Sequence, residues 1–203
     1  MNSHLKNIVV ATVGTIPFGG GVSVLIDKYI PDNLQKKRDK LIDTFLCDLE
    51  SIENIDEDFL RSEDFTMFFL RIFNKAMIEN NQIKSKIFRS ILKTIASQNY
   101  KIDLEIEMFI KLTEDLITHQ FYFLYTIKCE NSIYKNAIYN TDLKEHEIYS
   151  LTGLENYGLV KKVDSQHNKV DYKLTELGER FYLFVDYENV YKEVLDELNL
   201  SKK

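Results

Sequence analysis

The stretch "EHEIYSLTGLENYGLVKKVDSQHNKVDYKLTELGERFYLFV", residues 145–185, changes its hydrophobic period twice, and the fold turns on that change. Its first part belongs to a helix over about 143–157, ended by Gly158, a natural left-handed cap. "LVKKV" (159–163) and "VDYKL" (170–174) alternate well enough for two short strands. "DSQHN" (164–168) supplies the turn-forming residues between them. "LTELGERF" then opens a final helix with Thr175 as its N-cap.

Upstream the chain reads as helices. Residues 32–52 are amphipathic, with Asp32 or Asn33 available as cap and Leu34, Leu41, Ile42, Phe45, Leu46, Leu49 and Ile52 on one face. The opposite face carries Lys36, Lys37, Arg38 and Lys40. "ENIDED" (53–58) reads as a polar joint. A second helix starts at Ser62 and runs to about Asn80, with Phe65, Phe68, Phe69, Ile72, Phe73 and Met77 as its stripe. A third covers 82–98 and a fourth 103–112. "TEDLITHQFYFLYTIK" (113–128) reads as one more helix, and a short one is expected at 131–139. Stripes of this kind must be covered, and packing them together gives a bundle.

The composition agrees. Of 203 residues, 44% are hydrophobic and 29% charged, which describes a globular chain. Two prolines and seven glycines favour long helices over a many-turned β protein. The net charge of −6 is spread without a strong basic field for phosphates. Cys47 and Cys129 are far apart, and both are expected to be reduced and mostly buried.

Helix, helix, helix, β-hairpin, helix is the winged-helix order. The spelling is similar too: Gly158-Leu159-Val160 runs into the first strand, and Tyr172, Leu174, Thr175 and Gly178 match "Y-x-L-T-x-x-G" at the end of the second. The resemblance covers residues 113–185 and implies a C-terminal winged-helix domain. The whole chain also resembles a loose group of uncharacterised bacterial proteins that pair an "IP-x-G-G … Y-I-P" N-terminus with a helical middle and a C-terminal winged helix. Ile16, Pro17, Gly19, Gly20, Gly21, Tyr29, Ile30 and Pro31 carry that likeness. It implies a setting in mobile-element or phage-defence loci and brings no catalytic residues.

In winged-helix repressors the third helix enters the major groove and uses Lys or Arg there. Between Lys144 and Lys161 this chain has neither; Glu145, Glu147 and Glu155 stand there instead. Ser150 and Asn156 offer neutral contacts. Lys161, Lys162 and Lys169 on the wing are offset by Asp164 and Asp171. Specific duplex binding takes several phosphate contacts, so the surface formed by Glu145, Ser150, Glu155, Asn156, Lys161, Lys162 and Lys169 is expected to meet protein rather than nucleic acid.

Nothing points to catalysis. His4, His119, His146 and His167 are widely spaced and fall in no metal-ligand pattern. "FGGGVS" has Val22-Ser23 where a phosphate loop needs Lys-Ser/Thr. Asp103, Glu105 and Glu107 read as a solvated helix face. No enzyme activity and no cofactor or metal are expected.

The N-terminus is the unusual part. Residues 8–26 carry no charge, and Pro17 with Gly19, Gly20 and Gly21 interrupts them. That interruption, and a single Lys6 before the run, argue against a secretory signal. The segment reads as an apolar helical hairpin about "PFGGG", either tucked into the bundle or released to a membrane or an oligomer. A bent membrane-spanning helix is a third reading, with its break where lipid offers no replacement hydrogen bonds. Pro17, Phe18 and the three glycines, followed by Lys36, Lys37 and Arg38, are the candidate contact residues for an anionic membrane or a second chain.

The expectation is a mainly α protein: a helical domain over 1–112 with the apolar Gly-rich hairpin at 8–31, then a winged-helix domain over 113–203. Its expected role is that of a cytoplasmic interaction or effector protein, associating with membranes when activated. Its expected partners are another protein or a second copy. The alternative is a winged-helix transcriptional regulator with an N-terminal dimerisation or sensing domain.

Overall fold

The computed structural model describes residues 32–53, 55–101, 103–129, 145–165 and 169–200. The Gly-rich segment with Pro17, Phe18, Gly19, Gly20 and Gly21 lies outside the described residues, as does the helix expected at 131–139. The described part is mostly helical, with one two-stranded antiparallel sheet. It divides into two compact units, the first ending at Ile106 and the second beginning at Glu107. That division and the expected boundary at 112/113 both fall within one helix, Leu104–Asp115.

In the first unit α1 (Asp32–Glu50), α3 (Glu63–Ile78) and α4 (Gln82–Gln98) pack on one another, with the short α2 (Glu57–Leu60) leading into α3. The starts of α2, α3 and α4 each have a side-chain cap. Asp56 accepts from the Asp58 and Phe59 N–H groups, Ser62 from Phe65 N–H at 3.2 Å, and Asn81 from Lys84 N–H at 3.1 Å. Asn99, in the left-handed conformation, ends α4. Phe65, Phe68, Phe69, Ile72, Phe73 and Met77 are buried as their spacing demands. Phe69 is the hub, with ring centroids 5.7 Å from Phe45, 6.2 Å from Phe65 and 5.5 Å from Phe73. Arg89 of α4 makes a two-pronged bond to Asp48 of α1, both contacts at 2.8 Å. The "ENIDED" joint is shorter than expected, because Asp56 caps α2 inside it.

The second unit gathers around α6 (Thr118–Cys129), which touches α7 (Glu145–Asn156), β2 (Lys169–Leu174), α8 (Glu176–Val185) and α9 (Tyr187–Leu200). Neighbours on several sides explain why α6 lacks a single apolar stripe: Gln120, Phe121, Phe123, Leu124, Thr126 and Ile127 are all buried. The expected helix over 113–128 is broken. α5 (Leu104–Asp115) ends first, Leu116 is buried, and the Gln120 side chain accepts the Ile117 N–H at 2.9 Å. The final helix is also two, because Asp186 takes φ 50° between α8 and α9. β1 (Val160–Ser165) pairs antiparallel with β2, Val160 opposite Leu174 and Ser165 opposite Lys169.

The thiols differ from expectation. Cys47 and Cys129 are both exposed. Cys47 lies two residues from the buried Phe45, about 200° around α1, so it points away from the core. Among the described residues no helix is long and apolar enough to cross a membrane.

Candidate functional site

The site is built on α7 and the hairpin that follows it. Ser150, Leu151 and Leu154 face inward. Glu145, Ile148, Tyr149, Thr152 and Asn156 are exposed at spacings of three and four, so they form one solvent-facing stripe. Tyr149 is 72% exposed and Ile148 50%. Glu145 and Glu147 sit in the first turn, where negative charge suits the helix dipole.

The helix stops in a tight double bond. Gly158 N–H reaches Glu155 O at 2.9 Å and Leu159 N–H reaches Leu154 O at 3.0 Å. Gly158 has φ 71°, which the paired bonds require and which a side chain would strain. Thr175 then clamps the start of α8 against this turn. Its hydroxyl donates to Gly158 O at 2.6 Å and accepts from Gly178 N–H at 2.9 Å, while its own N–H reaches Leu159 O at 3.0 Å. Gly178 has no room for a side chain: a Cβ there would lie 2.9 Å from the Leu159 carbonyl carbon. The "T-x-x-G" spelling thus fixes where the hairpin leaves the helices.

The hairpin has two faces with different charge states. On one, Lys162 bonds Glu155 of α7 at 2.8 Å and lies 6.0 Å from the Tyr172 ring centroid. The bond to Glu155 holds the Lys162 ammonium above its usual range, and burial pushes the Tyr172 phenol up. On the other, Lys161 stands directly opposite Lys173. Like charges in that position repel across the strands. Both are exposed, and among the described residues neither has a carboxylate within ion-pair distance. Elsewhere in this unit Lys111 pairs with Asp115, Lys128 with Glu179, Arg180 with Glu176 and Lys192 with Glu188.

Beneath α7 is a buried polar knot that sequence spacing did not reveal. Ser150, expected on the contact surface, is fully buried and is no surface residue. Its hydroxyl donates to His146 O at 2.9 Å, and His119 Nδ1 lies 3.1 Å from it. Gln120 Nε2 donates to Ser150 O at 3.3 Å. The His119 and His146 rings are 5.3 Å apart. These two histidines therefore do meet, although 27 positions separate them. The Ser150 hydroxyl is thus shared between the carbonyl of its own helix and the His119 ring, unlike a free nucleophile held by a base alone. No group of three or more metal-ligating side chains occurs among the described residues.

The remaining expected contact residues are scattered. Glu155 is occupied by Lys162, Asn156 and Lys161 are exposed, and Lys169 pairs by backbone with Ser165 while its side chain lies outside the described atoms. Lys37 donates to Glu79 O at 2.9 Å, satisfying a carbonyl at the end of α3. Arg38 bonds Asp39 at 3.2 Å, and Lys36 is exposed. Sequence reasoning missed Ile148, Tyr149 and Lys173. The helical spacing from Glu145 and the strand alternation from Leu174 would have found them.

No protein-family model, no curated protein and no solved structure matches this chain.

Proposed function

We propose that this chain is a non-enzymatic interaction protein whose second unit is a winged helix working by protein contact. The carrying observation is the solvent face of α7. It presents Ile148 and Tyr149 beside Glu145 and has no cation from Glu145 to Val160. An aromatic and an aliphatic side chain standing together in water suit a protein partner. A face without cations is poorly matched to phosphate. Helix α7, the Gly158 turn, the hairpin and the Thr175-capped α8 support the winged-helix reading. The commitment of the Ser150 hydroxyl supports a structural role for the only Ser–His contact found here among the described residues.

From its sequence, the charge-free segment 8–26 is assigned conditional contact with a membrane or a second chain, and the proposed setting, resting on the likeness quoted above alone, is bacterial defence. One observation favours the second reading, a DNA-binding regulator: among the described residues Lys161 and Lys173 of the hairpin have no ion-pair partner. A photo-reactive residue replacing Tyr149 tests the proposal in cells. Polypeptide adducts are expected; adducts to nucleic acid, or none, would overturn it.

A further inference from the structure

The α7 face and the unpaired lysines are complementary to each other but stand at opposite ends of the same helix. Glu145 opens α7, and Lys161 and Lys173 sit one residue pair from the base of the hairpin, just past its end. At 1.5 Å per residue, the helix between Glu145 and Asn156 is about 17 Å long. That is too far for Glu145 to neutralise these lysines within its own chain. Two α7 helices laid antiparallel across a two-fold axis remove the distance. Each Glu145 then arrives at the other chain's hairpin base, Thr152 lies nearest the axis, and Ile148 and Tyr149 of each chain face the second half of the partner's α7.

We propose that a second copy of this chain docks on α7 in this antiparallel manner, with Glu145 of one chain set against the partner's Lys161 and the partner's Lys173. The inference rests on the reading of α7 as a protein-contact face and names its occupant. Charge complementarity carries the choice. Glu145 has no counter-ion among the described residues, and neither has the like-charged pair of Lys161 and Lys173. Antiparallel helices also set opposite dipole ends side by side. The arrangement is isologous, so each contact occurs twice and any substitution is felt twice. Lys162 stays with Glu155 and takes no part.

Sedimentation of the full chain tests this. A dimer is expected at micromolar concentration, weakening as salt rises. Glu145→Lys alone and the double change Lys161→Glu with Lys173→Glu should each weaken self-association at least about tenfold. An equimolar mixture of these two variants should recover a dimer, because one meeting point then sets a single lysine against two glutamates and the other a single glutamate against two lysines. A chain that stays monomeric at high concentration would overturn the proposal, as would a dimer indifferent to both variants or a mixture that fails to recover. Circular dichroism confirms that each variant folds, and Tyr149→Asp, at an exposed site within the contact, should dissociate the dimer independently. A monomeric chain that still forms polypeptide adducts at position 149 would remove the second copy and leave the contact face standing.

Discussion

The two units solve the burial problem differently. The first closes an aromatic core with short polar caps. Among the described residues its exposed large apolar side chains, Met67, Ile78 and Leu104, are dispersed, and Arg71 and Asn74 separate Met67 from Ile78 along α3. The second unit contains all the buried polar side chains found among the described residues: Thr113, Gln120, Thr126 and Ser150. It also places Ile148 and Tyr149 side by side in water and leaves two lysines opposed. The proposed contact draws on this difference, since it uses the apolar side chains that the second unit exposes together. Mutations and pH should therefore separate the two units.

The largest effect is expected in the first. Phe69→Ala removes the ring that touches Phe45, Phe65 and Phe73, and should cost about 3–5 kcal/mol. Urea unfolding followed by far-ultraviolet circular dichroism would measure it. The tyrosine near-ultraviolet signal, which comes largely from the second unit, should be less affected.

Gly178→Ala should damage the second unit by about 1–3 kcal/mol, because the added methyl meets the Leu159 backbone, which cannot swing away. Gly153→Ala should cost less, since its new methyl meets only the Gln120 side chain. Thermal unfolding of both variants would rank them. A harmless Gly178→Ala would show that α8 does not bear on the hairpin turn as described.

Alkaline pH should act on the second unit selectively. Burial raises the Tyr182 phenol far above the ordinary value of about 10, helped by its contact with Cys129, and burial likewise raises Tyr187. Below pH about 10 both folded and unfolded chains keep these phenols neutral, so the full stability is present. As pH rises further the unfolded chain ionises and the folded one resists, so stability falls. Absorbance at the phenolate band should show a late, cooperative step coinciding with loss of the second unit's near-ultraviolet signal.

The smallest effect on stability is expected at the surface. Tyr149→Ala should shift unfolding by no more than about 0.5 kcal/mol yet abolish self-association. Chemical denaturation and sedimentation of the same sample check both halves. A large stability loss would mean that Tyr149 belongs to the fold rather than to a contact.

What was legible in the sequence follows the same division. Where a helix has one wet face, its period locates it, and a cap residue sharpens the start, as Ser62 does for α3. The break after Asp115 carries no Gly or Pro; it depends on buried Leu116 and on a side-chain bond from Gln120. Asp186 ends α8 in a conformation that its residue type permits but does not announce. Ser150 reads as surface because it is polar, and only the arrival of α6 gives its hydroxyl and carbonyl their buried partners. At the site, the absence of cations on α7 was readable directly. The pairing of Lys162 with Glu155 and the isolation of Lys161 with Lys173 needed the strand register.

Central to the proposed function is that α7 and its hairpin meet protein rather than nucleic acid. Selection from a randomised duplex pool against the full chain at near-physiological salt, followed by anisotropy titration of the enriched sequences, tests that directly. The predicted result is no duplex bound in the range of specific recognition, about 10⁻⁸ M or tighter. A duplex bound that tightly, and weakened by Asn156→Ala or by Lys161→Glu with Lys173→Glu, would contradict it.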